Sequence, residues 1–305
     1  MSTEPGLGES TQHVDEDEVL VDHEANPHLG IASEGPLDLG VGHALISLTG
    51  PEPGHEVEYN RWYEDDHYLA GGMYAPWMYA GRRWLATPDL RAMRLPGTPC
   101  PPLTDVDTGW MLGTYWIAPD RIDDVEAWAF GANRRLAAAG RIYPHRTPGL
   151  TAFQDLAGVV YRDDDVVRAE WALHDPASGV VLEILDSEPG RRDDLLAWVL
   201  EDHLPQRVAG PVTSAMVFEY DARLHAGTKP KIREALQEQA GHGGRLTVLW
   251  FLDEDPRKCW DHFVDEPAAL ASGGLGRASL VAPFVPARMG TNHLMDQLAA
   301  PKETR

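Results

Sequence analysis

The chain has 305 residues, 43% of them hydrophobic and 24% charged, with a formal net charge of -22. That is enough apolar material for one large domain or two ordinary ones. The negative charge argues against nucleic acid and anionic membrane surfaces as main partners, since both need a basic footprint.

Residues 1–40 contain ten acidic residues and no Lys or Arg; the first basic residue is Arg61. The stretch reads as an acidic, largely disordered or draped arm. No cationic leader precedes an apolar segment, and no apolar run approaches the roughly 18 residues of a membrane span, so a cytoplasmic protein is expected. Cys100 and Cys259 are too isolated for a disulfide framework or a zinc knuckle.

From residue 41 onward the elements come in chain order. An apolar strand is predicted at Ala44–Leu48, then a Pro-Gly turn, then a helix over about 55–68. Strands follow near 78–86 and 110–117, separated by a loop at 87–108 that carries five prolines. A second helix is predicted over about 120–139, and a closing strand at 157–162 or 168–173. The same order then repeats: strand 179–185, helix 191–204, strand 212–220, loop 224–244, strand 245–252, helix 256–272, strand 277–284.

The repeat is also visible residue by residue. At an offset of 136, Leu45–Ser47 falls on Val181–Glu183, and Glu52-Pro53-Gly54 on Glu188-Pro189-Gly190. Trp62 falls on Trp198, and Asp66-His67 on Asp202-His203. A single register for all of them predicts a tandem duplication. Each copy reads as βαββαβ, an antiparallel sheet with helices on one face. The bare face must be covered, and two such sheets can cover each other as a barrel with a pseudo-twofold axis. The expected organisation is an arm at 1–40, a first repeat at 41–175, a second at 176–290 and a tail at 291–305.

The segment Tyr59-Asn60-Arg61-Trp62-Tyr63-Glu64-Asp65-Asp66-His67 resembles the first-helix signature of the dimeric α/β-barrel superfamily, especially its EthD-like members. Gly81-Arg82-Arg83-Trp84 resembles the Arg-Arg-aromatic strand that follows it there. The resemblance spans about 43–290, with its specific part in the first helix. It implies an α+β chain of two fused ferredoxin-like repeats forming an intrachain dimeric α/β-barrel. The superfamily includes monooxygenases, isomerases, cyclases, decarboxylases and haem proteins, so fold alone does not set the activity. The second copy departs from the pattern: Leu196, Ala197 and Val199 replace Asn60, Arg61 and Tyr63.

His67 is the first candidate for chemistry. It follows Glu64, Asp65 and Asp66 at a predicted helix end, where the dipole and the carboxylates would favour its cation and suit it to acid/base work. Asp66 or Glu64 would assist it. Asn60 and Tyr63 could hold a carbonyl or enolate oxygen, and Tyr59 lies near the same helix face. Arg82 and Arg83 point to opposite sides of a strand, so one of them could meet an anionic substrate group. Trp84 and Trp116 suit the walls of a flat apolar ligand site. His203 is the counterpart of His67 and a further binding candidate. The bland reading gives these residues capping, core and salt-bridge roles.

No HxH, HExxH or CxxC spacing announces a metal, and no Gly-rich phosphate loop or Gly-x-Ser-x-Gly elbow occurs. The expectation is therefore no metal and no organic cofactor, with haem on a single histidine as a minor alternative. The leading reading is a lyase, isomerase, cyclase or monooxygenase of catabolism or secondary metabolism, acting on a hydrophobic oxygenated small molecule. The rival is a non-catalytic binding protein for an apolar ligand. Either would work as a monomer or homodimer.

Overall fold

The computed structural model describes residues 39–96, 108–147, 149–175, 177–220, 240–265 and 273–298, together with 28, 31, 234, 238 and 270. Most of the expected arm at 1–40, most of the loop at 224–244 and parts of 87–108, 256–272 and 291–305 lie outside the described residues. The unit Leu39–Arg305 holds every element below.

β1 (His43–Pro51) alternates half-buried and buried residues along most of its length, so Ala44, Ile46 and Leu48 face one side and Leu45, Ser47 and Thr49 the other. α1 (Glu56–Trp62) runs into two π-helical turns, Tyr63–His67 and Leu69–Met73. Then come β2 (Met78–Leu85), α2 (Pro88–Ala92), β3 (Met111–Ile117), α3 (Ile122–Ala138), the short β4 (Arg146–Thr147) and β5 (Thr151–Tyr161). β6 (Gly179–Ser187) leads to α4 (Arg192–Trp198), a π-helical turn at Val199–His203 and α5 (Leu204–Arg207). β7 (Val212–Tyr220), β8 (Arg245–Leu252), α6 (Pro256–Cys259), β9 (Gly276–Pro286) and α7 (Met295–Leu298) complete the chain.

The architecture is α+β around one large antiparallel sheet. β1 is hydrogen-bonded to both β3 and β5, and the strand order β3-β2-β9-β6-β8-β7-β5-β1 thereby closes on itself. Within this ring β5-β1-β3-β2 and β9-β6-β8-β7 have the same internal order. β7 pairs with β5 along most of its length. β2 meets β9 through Trp84↔Pro286 and Leu85↔Val285, and the segment after α2 adds a bridge, Leu95↔Val281. Closure leaves no long edge in the ring to attract another strand.

The ring's interior is an apolar core drawn from both halves, including Ile46, Trp84, Trp116, Phe218, Phe251 and Phe284. Outside the ring, β6 and β8 pack against α4, the π-helical turn and the 3₁₀ turn at Trp260–His262 through a second cluster that includes Val181, Leu195, Val199, Trp250 and Phe263.

Some elements differ from the sequence reading. The closing strand of the first half is β5, which begins at Thr151 because it pairs from Ser47↔Thr151 onward. Gln154 and Asp155 interrupt its first part, so the run at 157–162 shows only its second half. The alternative at 168–173 contains a 3₁₀ turn, Ala169–Trp171. The helix read over 256–272 begins as α6, capped by Asp255 accepting from the Arg257 backbone N–H at 2.9 Å, and gives way to the 3₁₀ turn. The expected tail folds back as α7, and Asn60 Nδ2 donates to Thr291 O at 3.0 Å.

Among the described residues, no helix is long and apolar enough to cross a membrane.

Candidate functional site

A cavity of about 390 Å³ lies in the first half, between the outer face of β1, β3 and β5 and the overlying α1, π-helical turns and α3. Its floor follows from strand alternation. Leu45, Ser47 and Thr49 point outward from β1, and Tyr115 lies opposite Leu45 in the register with β3. Tyr59, Tyr63, His67 and Gly71–Gly72 form the helical wall; Glu126, Ala129, Phe130 and Asn133 of α3 form another. Arg146 of β4, Phe153 of β5 and Tyr220 of β7 also line it. The volume suits a small organic ligand, and the lining mixes aromatic rings with a few polar groups.

His67 reaches this wall because the helix widens. The Tyr68 N–H bonds to Tyr63 O, five residues back, so residues five apart overlie each other. The His67 ring thus stacks on Trp62 with centroids 4.5 Å apart and planes 18° off parallel. Its other flank is set by Gly71: a Cβ there would lie 2.6 Å from Cε1 and 2.7 Å from Nδ1. Nδ1 is buried with no hydrogen-bond partner. Gly71→Ala should therefore push the imidazole off Trp62 and cost about 1–3 kcal/mol. Urea unfolding and the His67 ring shifts in NMR would test this; unchanged shifts would show that the contact is slack.

The charge state of His67 is opposite to the sequence expectation. Burial, then the nearby Arg146 cation, press its pKa from 6.5 down to about 4, and Asp66 only partly opposes them. The imidazole is neutral near pH 7 and presents a lone pair. The expected carboxylate assistance does not form, because the carboxylates are engaged elsewhere. Asp66 takes hydrogen bonds from Arg141, Nε at 3.1 Å and Nη2 closer still, which hold its carboxyl below the usual range. Glu64 accepts from Arg83 Nη1 at 3.0 Å, from the Gly290 N–H at 2.8 Å and from Arg61.

Tyr63 and Tyr115 bond hydroxyl to hydroxyl deep in the cavity. Gly113 makes the room, since a Cβ there would lie 3.1 Å from the Tyr63 oxygen. Burial pushes Tyr63 up to about 12 and Tyr115 well above its ordinary value, so both phenols stay protonated. Two hydroxyl hydrogens then serve one mutual bond, and the second hydrogen is left for another acceptor. Tyr59, the other tyrosine of this wall, bonds through its hydroxyl to Thr49 Oγ1 at 2.9 Å.

The remaining sequence candidates lie apart from the cavity lining. Asn60 is used at both ends: Oδ1 accepts from Arg83 Nη1 at 2.9 Å, and Nδ2 donates to the 291–292 segment. Arg83 is buried beneath the Tyr63 ring at 4.3 Å, binding Asn60 and Glu64 instead of facing the cavity. Arg82 donates to the carbonyls of Leu173 and Asp175, with Trp84 4.9 Å beneath it. Trp84 and Trp116 fill the ring interior, donating to Thr114 Oγ1 at 3.1 Å and Ala169 O at 3.0 Å. The wall expected of tryptophan is built of tyrosine and phenylalanine instead.

His203 repeats the geometry of His67 without the space. It stacks on Trp198 at 4.6 Å and 21°, after an identical π-helical turn. But Leu195, Val199 and Trp250 stand where Tyr59, Tyr63 and Tyr115 stand in the first half, and they belong to a filled core. Glu183, at the position of Ser47, accepts from Trp250 Nε1 at 3.0 Å and lies 3.7 Å from His203 Nε2. Sequence reasoning missed Tyr115, Arg146, Phe130, Asn133, Ser47 and Thr49. The signal for three of them was available: Ser47, Thr49 and Tyr115 lie on the outward face of paired strands where the second half has Glu183, Leu185 and Trp250.

No family model matches the sequence, and no curated protein matches it. Solved structures do. An anthrone oxidase-like protein is 11% identical over 82% of this chain and 92% of its own, with a TM-score of 0.45. A proposed chlorite dismutase is 9% identical over 81% and 95%, TM-score 0.46. The encapsulated DyP-type peroxidase of Mycobacterium smegmatis is 12% identical over 88% and 96%, TM-score 0.41.

A chlorite dismutase and a peroxidase among these structures overturn the expectation of no cofactor. Peroxidase haem iron hangs from one histidine. His67 is the histidine on the cavity wall, but its unpartnered Nδ1 is buried and not open to the cavity.

Proposed function

We propose that the chain is a tandem duplication of a ferredoxin-like unit, closed as an intrachain dimeric α/β-barrel of EthD-like type. Its first half is the working half of an enzyme that deprotonates a phenolic or enolisable aromatic small molecule. The observation that carries this is the asymmetry between the halves: one keeps an aromatic cavity with a neutral imidazole and a spare phenol hydrogen, while the other fills the same place with Leu195, Val199 and Trp250.

The chemistry follows from the residues. A substrate oxygen takes the spare hydrogen bond of the Tyr63–Tyr115 pair, the arrangement that stabilises developing oxyanions. His67 accepts the proton from the substrate O–H or from the carbon next to its carbonyl. Arg146 stands by the resulting anion. The anion in turn offsets the Arg146 field that depresses His67, so the base strengthens as the substrate ionises. The enolate can then isomerise, cyclise, lose a group or react with oxygen.

The test isolates the first step. Bicyclic and tricyclic aryl ketones are incubated with the protein in D₂O, and exchange of the protons next to the carbonyl is followed by NMR. Accelerated exchange that Tyr115→Phe lowers roughly tenfold, about 1.4 kcal/mol of transition-state stabilisation, supports the reading. Tight binding with no accelerated exchange across the series would favour the binding-protein reading.

A further inference from the structure

Outside the cavity, two histidines and a carboxylate meet at the end of β1. The β1–β4 pairing, Pro51↔Arg146, carries on as a hydrogen bond from the Glu52 N–H to His145 O at 3.1 Å. The turn at Pro53–Gly54 then returns the chain, with Gly54 at φ 89° and the His55 N–H bonding to Glu52 O at 3.1 Å. His55 and His145 end face to face, ring centroids 4.0 Å apart and planes 8° off parallel. One donor atom from each of Glu52, His55 and His145 lies within 4.8 Å of the others.

We propose that Glu52, His55 and His145 form a binding site for a divalent transition ion, with Zn²⁺ as the fitting case. Two imidazoles and one carboxylate are the donor set of open zinc sites, which keep a fourth position for water. Bonds of about 2.0–2.2 Å require the more widely spaced donors to draw closer together. Side-chain rotation supplies this, because Glu52 and His145 are exposed and the backbone hydrogen bonds already hold the three residues together. Neighbouring groups support the site. His145 Nδ1 lies 3.1 Å from Glu52 Oε2, and His55 Nδ1 lies 3.1 Å from the Tyr143 hydroxyl and 3.4 Å from Glu58 Oε2. Tyr143 donates to Glu58 Oε2 at 2.9 Å.

The test uses the full chain stripped with a chelator. Zn²⁺ is titrated against a chromophoric indicator, and Co²⁺ is used as a spectroscopic probe. One equivalent should bind with micromolar or tighter affinity, and the Co²⁺ spectrum should show a nitrogen/oxygen site without thiolate. The double variant His55→Ala/His145→Ala should lose that equivalent, and Glu52→Gln should weaken it about tenfold. Far-UV circular dichroism of the metal-free proteins separates loss of the site from loss of the fold. His67→Ala should bind Zn²⁺ as the parent does. No bound equivalent, binding unchanged in the double variant, or binding lost only with His67→Ala would each overturn the proposal.

Discussion

Arg83→Met should lower the stability of the protein by about 3–5 kcal/mol, read as a fall in the urea midpoint. Arg83 is 1% exposed. Its guanidinium binds Asn60 Oδ1 and Glu64 Oε1, meets Met111 Sδ at 3.1 Å and underlies the Tyr63 ring. Removing one partner of a buried ion pair is costly because the other charge remains in a low-dielectric site. Here the Glu64 carboxylate would keep its bonds to Arg61 and the Gly290 N–H, and Asn60 Oδ1 would lose the Arg83 donor. The C-terminal segment should loosen with it, since Asn60 and Glu64 are what hold residues 290–292 to the helix. Adding Glu64→Met should recover part of the loss, because an apolar pair of similar volume replaces a buried carboxylate left with fewer partners. A midpoint change worth less than 1 kcal/mol would mean that the pair adds little beyond the packing around it.

Arg83 also shows how far the sequence could be read. Adjacent strand positions place Arg82 and Arg83 on opposite faces, and that holds. The partners were not legible: Asn60 and Glu64 lie one helical turn apart on α1 and its π-helical extension, and the sequence does not say that a cation from β2 joins them. The fold was more legible, because strand order follows from the repeat of apolar runs and turns. β7 and β8 match their sequence-read boundaries, Val212–Tyr220 and Arg245–Leu252. β5 carries Gln154 and Asp155 early in the strand, and these hide its first half from an apolar-run reading. The candidate site was legible on its helical side alone. Tyr59, Tyr63 and His67 line the cavity, while Arg146 comes from a two-residue strand that has no periodicity to detect. The charge of His67 was misread for a related reason: the acidic neighbours are visible in sequence, but burial and Arg146 are not.

That charge makes the last prediction specific. His67→Ala should reduce proton exchange on a bound aryl ketone by about 10²–10⁴-fold, the range for a lost general base. In the parent, kcat/KM should keep its base form well below neutrality, with the acid limb approaching pH 4 and not 6.5. The same depression has a stability signature. Below pH 6.5 the unfolded chain gains a proton on this histidine while the folded chain does not. The stability is therefore fully present above 6.5 and is lost as pH falls toward 4. The shift is worth about 2–3 kcal/mol after allowance for a ring that is partly exposed. His67→Ala should flatten that part of the stability–pH curve. The two readouts separate the roles. A merely structural histidine would give the stability slope with no loss of exchange, and a base whose pKa had returned to 6.5 would give the rate loss without the slope. Loss of both together is what a buried, neutral proton acceptor requires.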